Sequence, residues 1–184
     1  MARSKKLIAC YIIENDEDVF KLSYDSIYDI VDKIVVVWSP KEKVALPNEF
    51  NINYKILDPD KKLHVIVRNY RHGDKGANGL QRNYYLRHIK KHYEGEYAIV
   101  IDADEVFNFN NGYNWSIKEC KKQMFDALEF HNKDNNIWMF NPNMRHLMYA
   151  INKEDTERPE HFCNGRLFKI HKDRDWETFV FYIL

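Results

Sequence analysis

The stretch YAIVIDADEV, Tyr97 to Val106, runs five apolar or aromatic residues straight into Asp102, Ala103, Asp104 and Glu105. A short continuous apolar run with β-branched members reads as a strand covered on both faces, as in a parallel sheet. Carboxylates this close repel one another, so a positive group is expected among them. That group is a metal ion, a lysine or arginine, or, failing both, only water.

Working outward, apolar runs of strand length recur at 7–13, 33–38, 53–57 and 63–67. Helical spacing fills the gaps. In 16–31, Phe20, Tyr24, Ile27, Ile30 and Val31 share a face, and Asn15 with Asp18 suggests a cap; in 78–93, Tyr85, Leu86, Ile89 and Tyr93 form a stripe. Ser116 and Glu119 make an S-x-x-E capping box ahead of Ile117, Cys120, Met124 and Leu128. NIWMFNP, RHLMYAI and NGRLFKI then read as further strands. The alternation through residue 101 predicts an α/β fold with a mostly parallel central sheet flanked by helices, and a small antiparallel C-terminal part. Ligands of such sheets sit beyond the carboxyl ends of the strands, so DADE is placed there, with residues 14–16, 38–42 and 58–60.

The chain has 184 residues, enough for one substantial core and too few for two comfortable domains. Lys+Arg and Asp+Glu balance at 28 each, which removes the global electrostatic argument for a nucleic-acid partner. Cys10, Cys120 and Cys163 are far apart and form no C-x-x-C pair, as expected of reduced thiols in a cytoplasmic protein rather than a zinc or disulfide framework. No signal peptide is expected from MARSKKLIACYII, and no window approaches the roughly 20 apolar residues that span a bilayer.

The acidic turn admits several readings. One is a solvated strand end. An EF-hand calcium loop fails, because Val106 stands where a third ligand is needed and no glycine follows. DADEV also fits the nucleophile motif of haloacid-dehalogenase-type phosphatases, with Asp102 as nucleophile, although that motif normally opens its chain. The last reading is a Mg²⁺ or Mn²⁺ ion holding a diphosphate, since hard oxygen ligands two residues apart supply the half-shell such ions share with phosphates. Upstream, Arg82 lies one turn before Tyr85 and Leu86 and should point at the sheet, where a phosphate or a carboxylate of DADE would answer it. His88 and His92 are i, i+4 neighbours that could bind a metal or simply belong to a solvated face, RHIKKHY.

Taken in order, these elements resemble the GT-A-fold glycosyltransferases, most closely the family-2 group. ENDED stands at the first helix start, QRN supplies Arg82 and Asn83 before the acidic strand, IDADE matches the DXD motif, and GRLFKI with DWE, ending at Glu177, follows. The similarity runs through roughly residues 6–107 and thinly through 160–178. VVVWSPKEK departs from the pattern, because no Asp follows the second strand. The Tyr-, Asn-, Lys- and Ile-rich composition resembles that of small virus-encoded transferases.

The resemblance implies a single domain over 1–184, with 1–107 the nucleotide-sugar-binding half and 108–184 the acceptor side. It implies a metal-dependent, inverting hexosyltransferase that uses a nucleotide-diphosphate sugar and a glycan, lipid or protein acceptor. Asp104, helped by Asp102, would hold Mn²⁺ or Mg²⁺, while Tyr11, Asp58, Arg82, Asn83 and Asp102 would bind the donor. Asp155, in the charged loop INKEDTERPEHF, is the candidate base, and Glu177 the second choice. His161 or His171 could complete a metal shell. The chain is short for the family, so a second subunit of a homodimer could complete the acceptor half. A cytoplasmic location, host cytoplasm for a viral protein, with peripheral membrane attachment, would suit such an enzyme. The rival classes are the phosphatase and a non-catalytic nucleotide-binding module.

Overall fold

The computed structural model describes residues 5–14, 17–40, 47–68, 77–106, 116–132, 139–140 and 167–170. Its centre is a run of parallel strands: β1 (Leu7–Ile13), β2 (Lys33–Trp38), β3 (Leu63–Val67) and β4 (Tyr97–Val100). Two short strands, β5 (Met139–Phe140) and β6 (Leu167–Lys169), complete a sheet of order β3-β2-β1-β4-β6-β5, with β6 antiparallel to both its neighbours. The expected architecture is present, the antiparallel C-terminal part included.

Strand periodicity assigns each side chain to a layer. Leu7, Ala9, Tyr11 and Ile13 of β1, Ile34, Val36 and Trp38 of β2, and Tyr97 and Ile99 of β4 face one way. They meet α1 (Glu17–Ile27), α2 (Pro47–Asn53) and, through Met124 and Phe125, α4 (Ile117–Asn132). Ile8 and Cys10, Val35 and Val37, and Ala98 and Val100 face the other way, under Tyr85, Leu86 and Ile89 of α3 (Ala77–Tyr93). Both faces of the central strands are therefore covered, and β1, β2 and β4 consist of apolar side chains almost throughout. An aromatic cluster fills the α1–α2 layer: Phe20 stands edge-on to Tyr11 at 5.2 Å, to Phe50 at 5.5 Å and to Tyr54 at 5.5 Å.

The capping box forms as read. Ser116 N–H donates to Glu119 Oε2 at 2.8 Å, and Glu119 N–H donates back to Ser116 Oγ at 3.3 Å. The Ser116 hydroxyl, which donates to Glu119 Oε2 at 2.6 Å, and then the Ser116 N–H hold the Glu119 carboxyl below its usual range. Asp32 fixes α4 to the amino edge of the sheet by accepting from Leu7 N–H and from Lys121 Nζ.

One expected element is wrong. The run 53–57 is not a strand: α2 occupies Pro47–Asn53, a turn follows, and Lys55 takes a left-handed φ of 51°. Phe50 and Tyr54 lie four apart and both reach the aromatic cluster, so the apolar signal is that of a helical turn running into a tight reversal. The first helix is also shorter than 16–31: it ends at Ile27, and Ile30 and Val31 reach the core from the turn that follows. RHLMYAI lies outside the described residues.

Candidate active site at the carboxyl edge of the sheet

β4 ends at Val100, but Ile101 N–H still donates to Cys10 O at 3.0 Å, so pairing with β1 continues one residue further. That extension determines where Asp102 goes. Ile101 belongs to the α1–α2 layer, so its successor turns toward α3, and Ala103 returns to the first layer. On the α3 side Asp102 meets Arg82, whose Nη2 donates to Asp102 Oδ1 at 3.1 Å, while Nη1 lies 3.5 Å from the Tyr85 hydroxyl. The arginine expected to answer the acidic turn is in place.

The two partners differ in exposure: the Arg82 side chain is 15% exposed and that of Asp102 37%. Burial works against the Arg82 charge, yet Tyr85 and Asp102 more than offset it and raise its pKa. Glu105 closes the turn, its Oε2 accepting from Asp102 N–H at 2.8 Å while Glu105 N–H donates to Asp102 O at 3.0 Å. Asp104 is exposed at the rim, and among the described residues no hydrogen bond or ion pair engages its carboxylate. One carboxylate is thus shared with a cation, one is tied into the turn, and one faces outward.

The residues fit a hard divalent ion as a partial shell. Among the described residues no three His, Cys, Asp or Glu side chains already converge on one point, so protein ligands alone do not make a closed cage. Two carboxylates at a rigid strand end match an ion that keeps several waters and takes its remaining ligands from phosphate oxygens.

Other expected site residues separate into two groups. Asn83 follows Arg82 on α3 and is half-buried. Tyr11 does not reach the edge: it is fully buried, its hydroxyl lies 3.2 Å from Ser23 Oγ, and burial pushes its phenol up. It is a core residue, because it points into the layer that α1 covers two residues before β1 ends. Asp58 lies at the opposite edge of the sheet. Its carboxylate accepts from Lys62 N–H at 2.8 Å, Leu63 N–H at 3.0 Å and the Tyr28 hydroxyl at 2.9 Å, which fixes the amino end of β3. Its expected place at the carboxyl edge depended on a strand at 53–57, and both expectations fail together. Asn15, Asp16, Asp155, His161, Arg166, His171 and Glu177 lie outside the described residues.

A pair that sequence reasoning passed over stands at this edge. Glu14, the first residue after β1, accepts from Gln81 Nε2 at 2.7 Å, and Gln81 is fully buried. The available signal was position alone: Glu14 ends the central strand, and Gln81 precedes Arg82.

The fold and this edge define a mixed α/β protein with a Rossmann-like sheet and an acidic turn at its carboxyl end. No protein-family model matches the chain, and no curated protein matches it. Among solved structures it is similar to 4-diphosphocytidyl-2C-methyl-D-erythritol synthase, 11% identical with a TM-score of 0.50 over 97% of this chain and 84% of that one. It is also similar to a mannosyltransferase from Pyrobaculum calidifontis in complex with GDP-Man and Mn²⁺, 20% identical with a TM-score of 0.40. That match covers 58% of this chain, which spans only 29% of the mannosyltransferase. At such identities the likeness is one of fold.

Proposed function

We propose that the chain is a glycosyltransferase that moves a sugar from a nucleotide-diphosphate donor to a hydroxyl of a glycan, lipid or protein acceptor, with inversion. The observation that carries this reading is the Asp102–Arg82 pair set beside the outward-facing Asp104 at the carboxyl edge of a parallel sheet. Asp104 and Asp102 would hold Mn²⁺ or Mg²⁺, which when bound supplies positive charge to the departing diphosphate. Arg82 stays charged despite burial and offers the same phosphates a second cation. Glu105 holds the turn, so the two aspartates keep their spacing without reorganising as charge develops. Asn83 and the Glu14–Gln81 pair would line the donor from the α3 side.

The reaction needs a base on the acceptor side. As the acceptor oxygen bonds to the anomeric carbon, the sugar's bond to the diphosphate oxygen breaks, and a carboxylate takes the acceptor proton. Asp155 is the proposed base, with Glu177 the second choice. A cytoplasmic enzyme acting in a homodimer, attached peripherally to a membrane, fits this scheme. No helix among the described residues is long and apolar enough to cross a bilayer.

The test is a thermal-shift panel of nucleoside diphosphates with and without Mn²⁺, followed by product analysis on nucleotide sugars. Stabilisation that requires nucleotide and metal together, then release of free sugar or transferred glycoside, supports the reading. Asp155→Asn should keep donor binding and lose transfer. Failure of every nucleotide to stabilise the chain at any metal concentration would overturn it, and a phosphoenzyme on Asp102 would replace it with phosphatase chemistry.

A further inference from the structure

A second group of ligating side chains lies on the outer side of α3, away from the acidic turn. His88 and His92 sit one turn apart on the helix, with ring centroids 4.6 Å apart, and His64 of the edge strand β3 stacks on His88 at 4.1 Å with 19° between planes. His64 and His92 are exposed and His88 is half-buried. Among the described residues the three imidazoles make no hydrogen bond or ion pair. Tyr93 also packs against the cluster, 6.3 Å from His88 and 6.2 Å from His92, but a purely apolar cover would serve a sheet edge without bringing three polar rings together. α3 packs chiefly across β1 and β2, and these rings reach from it to the edge strand, where Ile66 packs on the same layer.

We propose that His64, His88 and His92 form a surface site for a borderline divalent transition-metal ion, Zn²⁺ being the representative, which ties α3 to β3. Imidazole nitrogen suits such ions, whereas the oxygen pair at Asp102 and Asp104 suits Mg²⁺ or Mn²⁺, so the two sites select different metals. The site is not preformed. Stacked rings present faces rather than in-plane lone pairs, and no three donors converge among the described residues. Binding opens the stack by rotation about χ2, a broad torsion for histidine that surface rings adjust at little cost. The helical pair supplies two ligands from one face, the strand a third, and water the fourth. Nothing in this inference depends on the proposed transferase activity.

The experiment is a calorimetric titration of the full chain with Zn²⁺ in saturating Mg²⁺, which occupies the carboxylates. One ion should bind, and the melting temperature should rise. His88→Gln and His64→Gln should each weaken binding about tenfold or more, whereas Asp104→Asn should leave it unchanged. On the unsubstituted chain, ring ¹H–¹⁵N spectra should show three of the eight histidines shifting with Zn²⁺, which keeps the test informative if a variant unfolds. Undiminished one-site binding in a folded triple variant, or unshifted rings of these three residues under excess Zn²⁺, would overturn the proposal.

Discussion

Replacing Asp102 by Asn and Arg82 by Met, singly and together, tests how the acidic turn is held. A fully exposed ion pair is worth about 0–1 kcal/mol, and removing one partner of a buried pair costs about 3–5 kcal/mol. This pair lies between those limits and is lopsided, with Arg82 at 15% exposure and Asp102 at 37%. Asp102→Asn removes the charged partner of a buried guanidinium, which cannot shed its proton, so a loss of about 2 kcal/mol is expected. Arg82→Met keeps most of the aliphatic stem and leaves a carboxylate that water can solvate, so the loss should be about 1 kcal/mol. The double variant should be no more destabilised than Asp102→Asn alone, with a coupling of about 1–1.5 kcal/mol. Urea denaturation with EDTA present measures all of this. At an m-value of about 2 kcal/mol/M, Asp102→Asn should lower the midpoint by about 1 M. Strictly additive losses, or a larger loss from Arg82→Met than from Asp102→Asn, would mean that the pair does not hold the turn in this way.

Three further outcomes are expected. Phe20→Ala removes the ring around which Tyr11, Phe50 and Tyr54 gather and should cost about 3–5 kcal/mol, read as a fall in melting temperature of about 10 °C or more. Ser116→Ala removes the hydroxyl that accepts from Glu119 N–H and donates to Glu119 Oε2, leaves the backbone bond of the cap, and should cost about 1 kcal/mol, read as a lower urea midpoint. Burial first, then His64, His92 and Lys91, hold His88 down to about 4. Its unfolded value is near 6.5, so its neutral form contributes stability above that pH, and the contribution is lost as pH falls from about 6.5 toward 4. Discounted for partial exposure, the loss is about 1–2 kcal/mol, and His88→Gln measured in EDTA should flatten the acid limb of the stability curve.

Much of the fold is legible in the sequence because the central strands are buried on both faces. LIACYII and KIVVVW need no alternation to be recognised, and β1 and β2 begin and end where those runs do. α3 is legible because Tyr85, Leu86 and Ile89 repeat at helical spacing, and the same stripe points Arg82 inward. The acidic turn follows from position, since whatever succeeds a parallel strand stands at the ligand edge. The failures share a cause. A five-residue apolar run such as NYKIL has no period of its own, and only the aromatic neighbours of Phe50 and Tyr54 reveal a helix and a reversal. Asp58 then falls on the wrong edge, because one misassigned strand inverts which end its successor occupies. Tyr11 was misplaced by two residues of strand, enough to exchange a rim position for the core. The Glu14–Gln81 bond joins residues 67 apart and has no local signature.

In the proposed enzyme Asp104 and Asp102 hold a divalent ion that recruits a nucleoside diphosphate. The most direct measurement is a calorimetric titration of nucleoside diphosphate into the chain with Mn²⁺ or with EDTA, repeated on Asp104→Asn. Asp104 is exposed, so that variant should fold with unchanged stability. Binding should be present with Mn²⁺, absent with EDTA, and lost or weakened at least about tenfold in the variant. Nucleotide binding of equal strength in all three conditions would rule out a metal-held diphosphate at this turn.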